Sequence, residues 1–206
     1  MHSSLFFVCR PRRFRVQPDM KERRKPLPNK ISLTQEQQEQ LMREALKEAE
    51  RGMADGEAPI GCVIAQGQGP DLRIAARGYN RVNALGRKNA HAEIVAFENA
   101  GCHDGLPPTL PLDAKDVILV STLEPCVMCL GAAMESGITL VLYGLQAPAD
   151  SGTGRVKPPK SPESSAPEII GGIFADESRA LFVRWLEGKK GTEQAKFVEQ
   201  LLALTA

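Results

Sequence analysis

His91-Ala92-Glu93 and, thirty-five residues on, Pro125-Cys126-Val127-Met128-Cys129 carry the side chains best suited to chemistry in this chain. Cys126 and Cys129 supply two thiolates at i, i+3, on one side of a helical turn, and both can reach one metal at about 2.3 Å. His91 adds an imidazole. Three protein ligands leave the fourth tetrahedral position of a zinc ion for water, whose pKa zinc lowers to about 7. Glu93 lies two residues beyond His91, so its carboxylate need not ligate and is placed to move the water's proton. Two other readings of the same residues stand beside this one. A lone C-x-x-C can be a redox pair, although that motif needs neither His-x-Glu nor a preceding proline. A structural zinc site would need a fourth ligand, and Cys102-His103 is the nearby candidate.

The elements that must hold these groups can be read from periodicity. Thr34 and Gln37 form a capping box ahead of a helix with Leu41, Met42, Ala45, Leu46 and Ala49 on one face, closing at Gly52. Residues 59–65 and 72–79 read as two strands about the turn at 67–71, a hairpin. Residues 80–89 form a polar loop with Arg81, Arg87 and Lys88. A helix follows over 90–100, with His91 at its start. Residues 117–120 are a continuous apolar run, the mark of a strand covered on both faces. Pro125 suits the first position of a helix that runs to Ser136 and places Cys126 and Cys129 where a helix N-terminus stabilises thiolates. A strand over 138–143, a long loop over 144–168, and helices near 176–187 and 192–202 complete the chain. Strands separated by helices imply a mostly parallel sheet between helical layers, with ligands at the carboxyl ends of its strands.

The bulk properties bound the setting. The chain of 206 residues has room for one domain with tails. Five cysteines, an odd number that includes the C-x-x-C pair, do not resemble a secreted disulfide framework. We therefore expect a reducing, cytoplasmic setting. No apolar run is long enough to span a membrane, and the start has its basic residues after, not before, a short apolar piece, unlike a signal peptide. Residues 1–30 hold nine Lys/Arg against Asp19 and Glu22, and with a whole-chain charge of +1 the remainder is net −6. We expect residues 1–30 to be a disordered basic arm and residues 31–206 to be the functional domain. The arm reads as a solvated tail, as a nucleic-acid contact, or as a stretch preceding a start at Met20.

His-x-Glu followed by Pro-Cys-x-x-Cys resembles the zinc-deaminase signature. The likeness extends through Glu57-Ala58-Pro59-Ile60-Gly61, Gly78-Tyr79-Asn80-Arg81, His91-Ala92-Glu93-Ile94, Thr122-Leu123-Glu124-Pro125-Cys126-Val127-Met128-Cys129 and Gly172-Ile173-Phe174-Ala175-Asp176-Glu177. These blocks stand in the order seen in bacterial tRNA-specific adenosine deaminases, a branch of the cytidine-deaminase-like superfamily. The resemblance covers roughly residues 40–190. It implies a three-layer αβα sandwich with a central mixed, mostly parallel five-stranded sheet, and a homodimer. It implies one zinc per subunit on His91, Cys126 and Cys129, with Glu93 as proton shuttle. It further implies that Asn80 hydrogen-bonds the target base, that Ile60 packs against it, and that backbone N–H groups near Ala92 and Cys126 fix the ring and the attacking water. For Asn80, a plain turn role at the end of a strand is the other reading.

The implied reaction is adenosine-to-inosine deamination in tRNA, with deamination of a free base or nucleoside (cytosine, guanine or a cytidine) as the alternative, and a zinc-bearing binding module without turnover as a third class. Guanine and cytosine deaminases differ around the Glu-Pro-Cys turn and usually carry Phe where Ile60 stands. The chain departs from the tRNA branch after Gly144, where Ala149-Asp150-Ser151-Gly152-Thr153-Gly154 replaces a Lys-Thr-Gly-Ala-like piece. An RNA partner needs Lys and Arg. Arg81, Arg87 and Lys88 in one loop, and Arg155, Lys157 and Lys160 in another, are the cations expected to frame the pocket.

Overall fold

A computed structural model describes residues 31–101, 110, 114–158, 160, 164–187, 189 and 192–205. The basic arm, Cys9 and the Cys102-His103 pair lie outside the described residues. In chain order the elements are α1 (Gln35–Ala54), β1 (Gly61–Gln66), β2 (Arg73–Tyr79), α2 (Val82–Leu85), α3 (Ala92–Ala100), β3 (Val117–Leu123), α4 (Val127–Glu135), β4 (Leu140–Leu145), β5 (Glu168–Ile170), α5 (Ala175–Leu186) and α6 (Glu193–Leu204). Among the described residues no helix is long and apolar enough to cross a membrane.

The strands form one sheet in the order β2-β1-β3-β4-β5. β1 is antiparallel to both neighbours, while β3, β4 and β5 are mutually parallel. Four of the five strands therefore point the same way and β1 alone runs against them, the mixed, mostly parallel sheet that was expected.

Side-chain alternation divides this sheet into two apolar faces. Val63, Ala65, Ile118, Val120, Leu140 and Leu142 meet Leu41, Met42 and Ala45 of α1. Cys62, Ile64, Leu119 and Val141 meet Ala92, Ala96 and Ala100 of α3 and Leu130, Ala133 and Met134 of α4. All seven residues of β3 are buried, as a strand covered on both faces requires. Burying a Leu or Met side chain contributes roughly 1.5–3 kcal/mol, so these two layers hold the sandwich closed.

Two glycines let the helices approach the hairpin. A Cβ on Gly61 would stand 2.1 Å from Ala45 O of α1, and one on Gly78 would stand 2.5 Å from Ala96 N of α3. The helices thus press on opposite faces of β1 and β2, which fixes where the α3 N-terminus falls. The capping box holds: Thr34 N donates to Gln37 Oε1 at 3.0 Å and Gln37 N to Thr34 Oγ1 at 3.2 Å.

Local expectations are corrected at several points. α1 does not stop at Gly52 but continues to Ala54, with Asp55 as its C-cap. Gly52 is kept inside the helix by Tyr79, whose Cδ2 would lie 3.0 Å from a Cβ there. Pro125 stands just outside α4, because Cys126 has the extended backbone of an N-cap. The polar loop after β2 contains the short helix α2, and the stretch after Gly144 ends in β5.

Candidate metal centre and pocket

His91 is the N-cap of α3 and Cys126 the N-cap of α4. β3 runs directly into Glu124-Pro125-Cys126, and β2 leads through Asn80, α2 and residues 86–90 to the start of α3. The two N-termini consequently face one another. Cys126 Sγ and Cys129 Sγ both lie 3.6 Å from His91 Nδ1, and the three donor atoms fall within 4.8 Å of one another. Zinc bonds of about 2.3 Å to sulfur and about 2.0–2.1 Å to nitrogen, at a tetrahedral angle, also separate N and S by about 3.6 Å. The donor set and its spacing therefore suit one zinc ion.

The electrostatics agree. Hydrogen bonding from Cys129, against the effect of burial, holds the Cys126 thiol down at about 4. The proton stays on Cys129, whose pKa is pushed up first by its Cys126 partner and then by burial. Hydrogen bonding to Cys126 raises His91. Two thiols and an imidazole so close together are a frustrated set without a cation, and a divalent ion lets both thiols ionise.

Glu93 is 3% exposed and reaches the same space. Burial is the main force raising its pKa. Ser121 Oγ donates to its Oε1 at 3.0 Å, and Cys129 Sγ lies 3.3 Å from its Oε2. Ser121 stands opposite Cys62 in the β1–β3 register. The Cys62 thiol is itself raised well above its usual value, by burial and then by the Glu93 charge. Ser121 was missed in the sequence, although period-2 alternation puts it on the Leu119 face, toward α3.

The centre opens into a pocket of about 520 Å³, within the usual range for small-molecule sites. Ile60 and Asn80 line it. Ala92 is fully buried in the core and does not line the pocket. Asn80 is oriented by a residue not singled out for any role. Glu57, 1% exposed, accepts from Asn80 Nδ2 at 3.1 Å, from Asn83 N and Nδ2 at 3.2 and 3.1 Å, and from Ala84 N at 2.7 Å. A buried carboxylate with four donors locks α2 to the Asn80 side chain.

Glu124 does the same on the other wall. It accepts from Ala147 N at 2.9 Å and from the hydroxyls of Ser151 and Thr153. Gly152 N donates to Pro125 O at 2.9 Å, and Ser151 bridges to Cys126. The divergent loop after Gly144 is thereby fastened to the Glu-Pro-Cys turn.

The cations behave differently from expectation. The first polar loop lines the pocket through Val82 and Asn83, while Arg87 is paired with Glu98 at 2.6 Å. Arg155 does reach the pocket, beside Asp150, with its guanidinium donating to Ala149 O and Pro148 O. Trp185 of α5 and Phe197 of α6 complete the lining and were not foreseen, since nothing in a helical stripe tells which end meets a distant pocket.

Comparisons with known proteins agree with this geometry. Residues 35–145 match the model of the cytidine and deoxycytidylate deaminase zinc-binding region. The tRNA-specific adenosine deaminase of Streptococcus pyogenes serotype M18 is 41% identical over 109 residues, covering 53% of this chain and 63% of that protein, less than two thirds of its length. The tRNA-specific adenosine deaminase of Rickettsia bellii is 34% identical over 145 residues, covering 68% of this chain and 93% of that protein. A solved structure from a study of A-to-I editing by tRNA:A34 deaminases at the wobble position superposes with a TM-score of 0.51 at 29% identity, covering 69% of this chain and 98% of that one. The guanine deaminase of Nitrosomonas europaea, at 23% identity and a TM-score of 0.52 over 75% of this chain and 86% of that one, is similar in fold.

Proposed function

Because this chain belongs to the cytidine and deoxycytidylate deaminase zinc-binding family, we propose that it is a zinc-dependent hydrolytic deaminase converting adenosine to inosine in tRNA. The observation that carries this reading is the meeting of His91, Cys126 and Cys129 at zinc-ligand spacing with the buried Glu93 in one pocket. Residues 31–206 act as the deaminase domain. His91, Cys126 and Cys129 hold one zinc, which when bound supplies a water activated at neutral pH. Glu93 would take a proton from that water and pass it to the ring nitrogen of the base; as the C–N bond breaks and the carbonyl forms, it would take the proton of the added hydroxyl and give it to the departing amine, which leaves as ammonia. The burial that raises its pKa suits a group that must both accept and donate.

Asn80, with Nδ2 committed to Glu57, presents its amide edge to the base, and Ile60 packs against the ring. The backbone N–H groups of Ala92 and Cys126, at two helix N-termini, orient the ring and the water. The preference for adenosine in tRNA rests on the Streptococcus and Rickettsia relatives. We further propose a cytoplasmic homodimer. Val127 and Met128 at the head of α4 are 51% and 36% exposed, an apolar surface beside the metal ligands that a second copy would cover.

Two observations favour free-base or nucleoside deamination instead: Asp150 at the pocket and the net −6 of residues 31–206 suit an anionic backbone poorly. Purified zinc-loaded protein incubated with a tRNA anticodon stem-loop and, separately, with adenine, cytosine, guanine and their nucleosides separates the two. Inosine formation in the stem-loop, steeply weakened by salt, is the expected result. Ammonia release from a free base alone overturns the tRNA reading.

A further inference from the structure

The pocket has more in it than a single target base needs. Its far wall is aromatic, built from Trp185 and Phe197 on the C-terminal helices. α6 docks on the body through Val198 and Leu201, which join Phe182, Trp185, Leu123, Leu145 and Ala147 in one cluster. Phe197 neighbours Val198 in the chain yet turns away from that cluster and stays 36% exposed. A helix that buries its Val and Leu but leaves a phenyl ring at the mouth of a pocket is offering a flat apolar face. A small hollow of about 10 Å³, lined also by Gln200 and Leu204, adjoins the pocket and shares Ala147, Asp150 and Phe197 with it. Phe197 therefore stands half-exposed at the edge of the pocket, where the neighbour of a base held at the metal centre can meet its ring. Asp150 shares this edge, and the Arg155 guanidinium in the pocket is engaged by the Ala149 and Pro148 carbonyls, so stacking is the interaction that Phe197 offers there.

We infer that Phe197 is a stacking platform for the nucleotide next to the target base, so that α6 selects a single-stranded nucleic-acid segment over a free base. This rests on the tRNA reading above. Base–aromatic stacking is tolerant of sequence, so the inference concerns the presence of a neighbouring base and not its identity.

The test is a double-mutant cycle on the zinc-loaded full chain. kcat/KM is measured for the unaltered protein, Phe197→Ala, Phe197→Leu and Phe197→Trp. The substrates are an anticodon stem-loop and two versions with an abasic residue on either side of the target adenosine. We expect Phe197→Ala and Phe197→Leu to lose about tenfold (roughly 1.4 kcal/mol) on the intact RNA, and Phe197→Trp to retain it. On one of the abasic RNAs the two losses should overlap, giving a coupling of about that size. Losses that multiply on both abasic RNAs overturn the inference alone. So does Phe197→Leu matching the unaltered protein, since a bulky apolar side chain without a ring would then suffice. An unaltered protein that deaminates only free bases overturns the tRNA reading and the inference with it.

Discussion

Glu57→Gln isolates what a buried carboxylate contributes when it neither binds metal nor moves a proton. The two side chains have nearly the same shape, so packing is preserved. Glu57 Oε2 accepts three donors, from Asn80 Nδ2, Asn83 N and Asn83 Nδ2, while Oε1 accepts Ala84 N. A glutamine keeps most by turning its amide nitrogen toward Ala84, where donor meets donor, and leaving one neutral oxygen for the other three. The lost bond leaves an N–H unsatisfied, at about 1–3 kcal/mol if it were sealed from water. The three that remain lose their charge assistance, a fraction of a kcal/mol to about 1 kcal/mol each. Asn83 and Ala84 are both exposed, so water recovers part of this, and a destabilisation of about 1–2 kcal/mol is expected. Urea unfolding should show a lower midpoint at unchanged slope. Because Asn80 loses its anchor, KM should rise while zinc content stays at one per chain. A change below about 0.5 kcal/mol, or a stability loss with KM unmoved, would refute the assignment of Glu57 as the residue that orients Asn80.

Glu93→Ala should retain zinc and lower kcat by about 10²–10⁴-fold; loss of the metal in that variant, measured by elemental analysis, contradicts the proton-shuttle role. Cys129→Ala should not hold zinc, and a fully loaded variant would remove Cys129 from the ligand set. Ser121→Ala should lower kcat severalfold with KM unchanged, because the bond it breaks positions Glu93, and Ser121→Thr should recover most of the loss. Equal falls in kcat and stability across both Ser121 variants would point to packing instead.

The metal centre was legible because its signal is local. Cys126 and Cys129 sit one helical turn apart wherever the rest of the chain goes, and His-x-Glu fixes the other half. The layers were legible for a similar reason: α1 shows its face at 3.6-residue spacing, and β3 shows its burial on both sides as an unbroken apolar run. What escaped depends on contacts between distant segments. Ser121 meets Glu93 across 28 positions, and Glu57 meets Ala84 across 27. A lone buried polar residue in the sequence does not say which partner it finds. α2 is four residues long and held by Glu57 more than by any periodicity of its own. Trp185 and Phe197 fall within the helices expected near 176–187 and 192–202, but docking alone decides that their rings reach the pocket.

Glu57, Glu93 and Glu124 all lie almost fully buried at the same end of the sheet, and their hydrogen-bond partners assign them different work. Glu57 is saturated by four donors and Glu124 holds three, all neutral. Carboxylates satisfied in this way are structural anchors, and each ties a loop to the pocket wall. Glu93 receives one hydroxyl, from Ser121, and otherwise faces the thiol of a candidate metal ligand. Burial outweighs these partners and its own backbone N–H and raises its pKa, and its Oε2 faces the metal ligands beside Cys129 Sγ. A carboxyl group that must gain and lose a proton within one turnover cannot also be a structural anchor. Only Glu93 meets that condition, and the two anchored carboxylates hold Asn80 and the 147–153 loop in place around it.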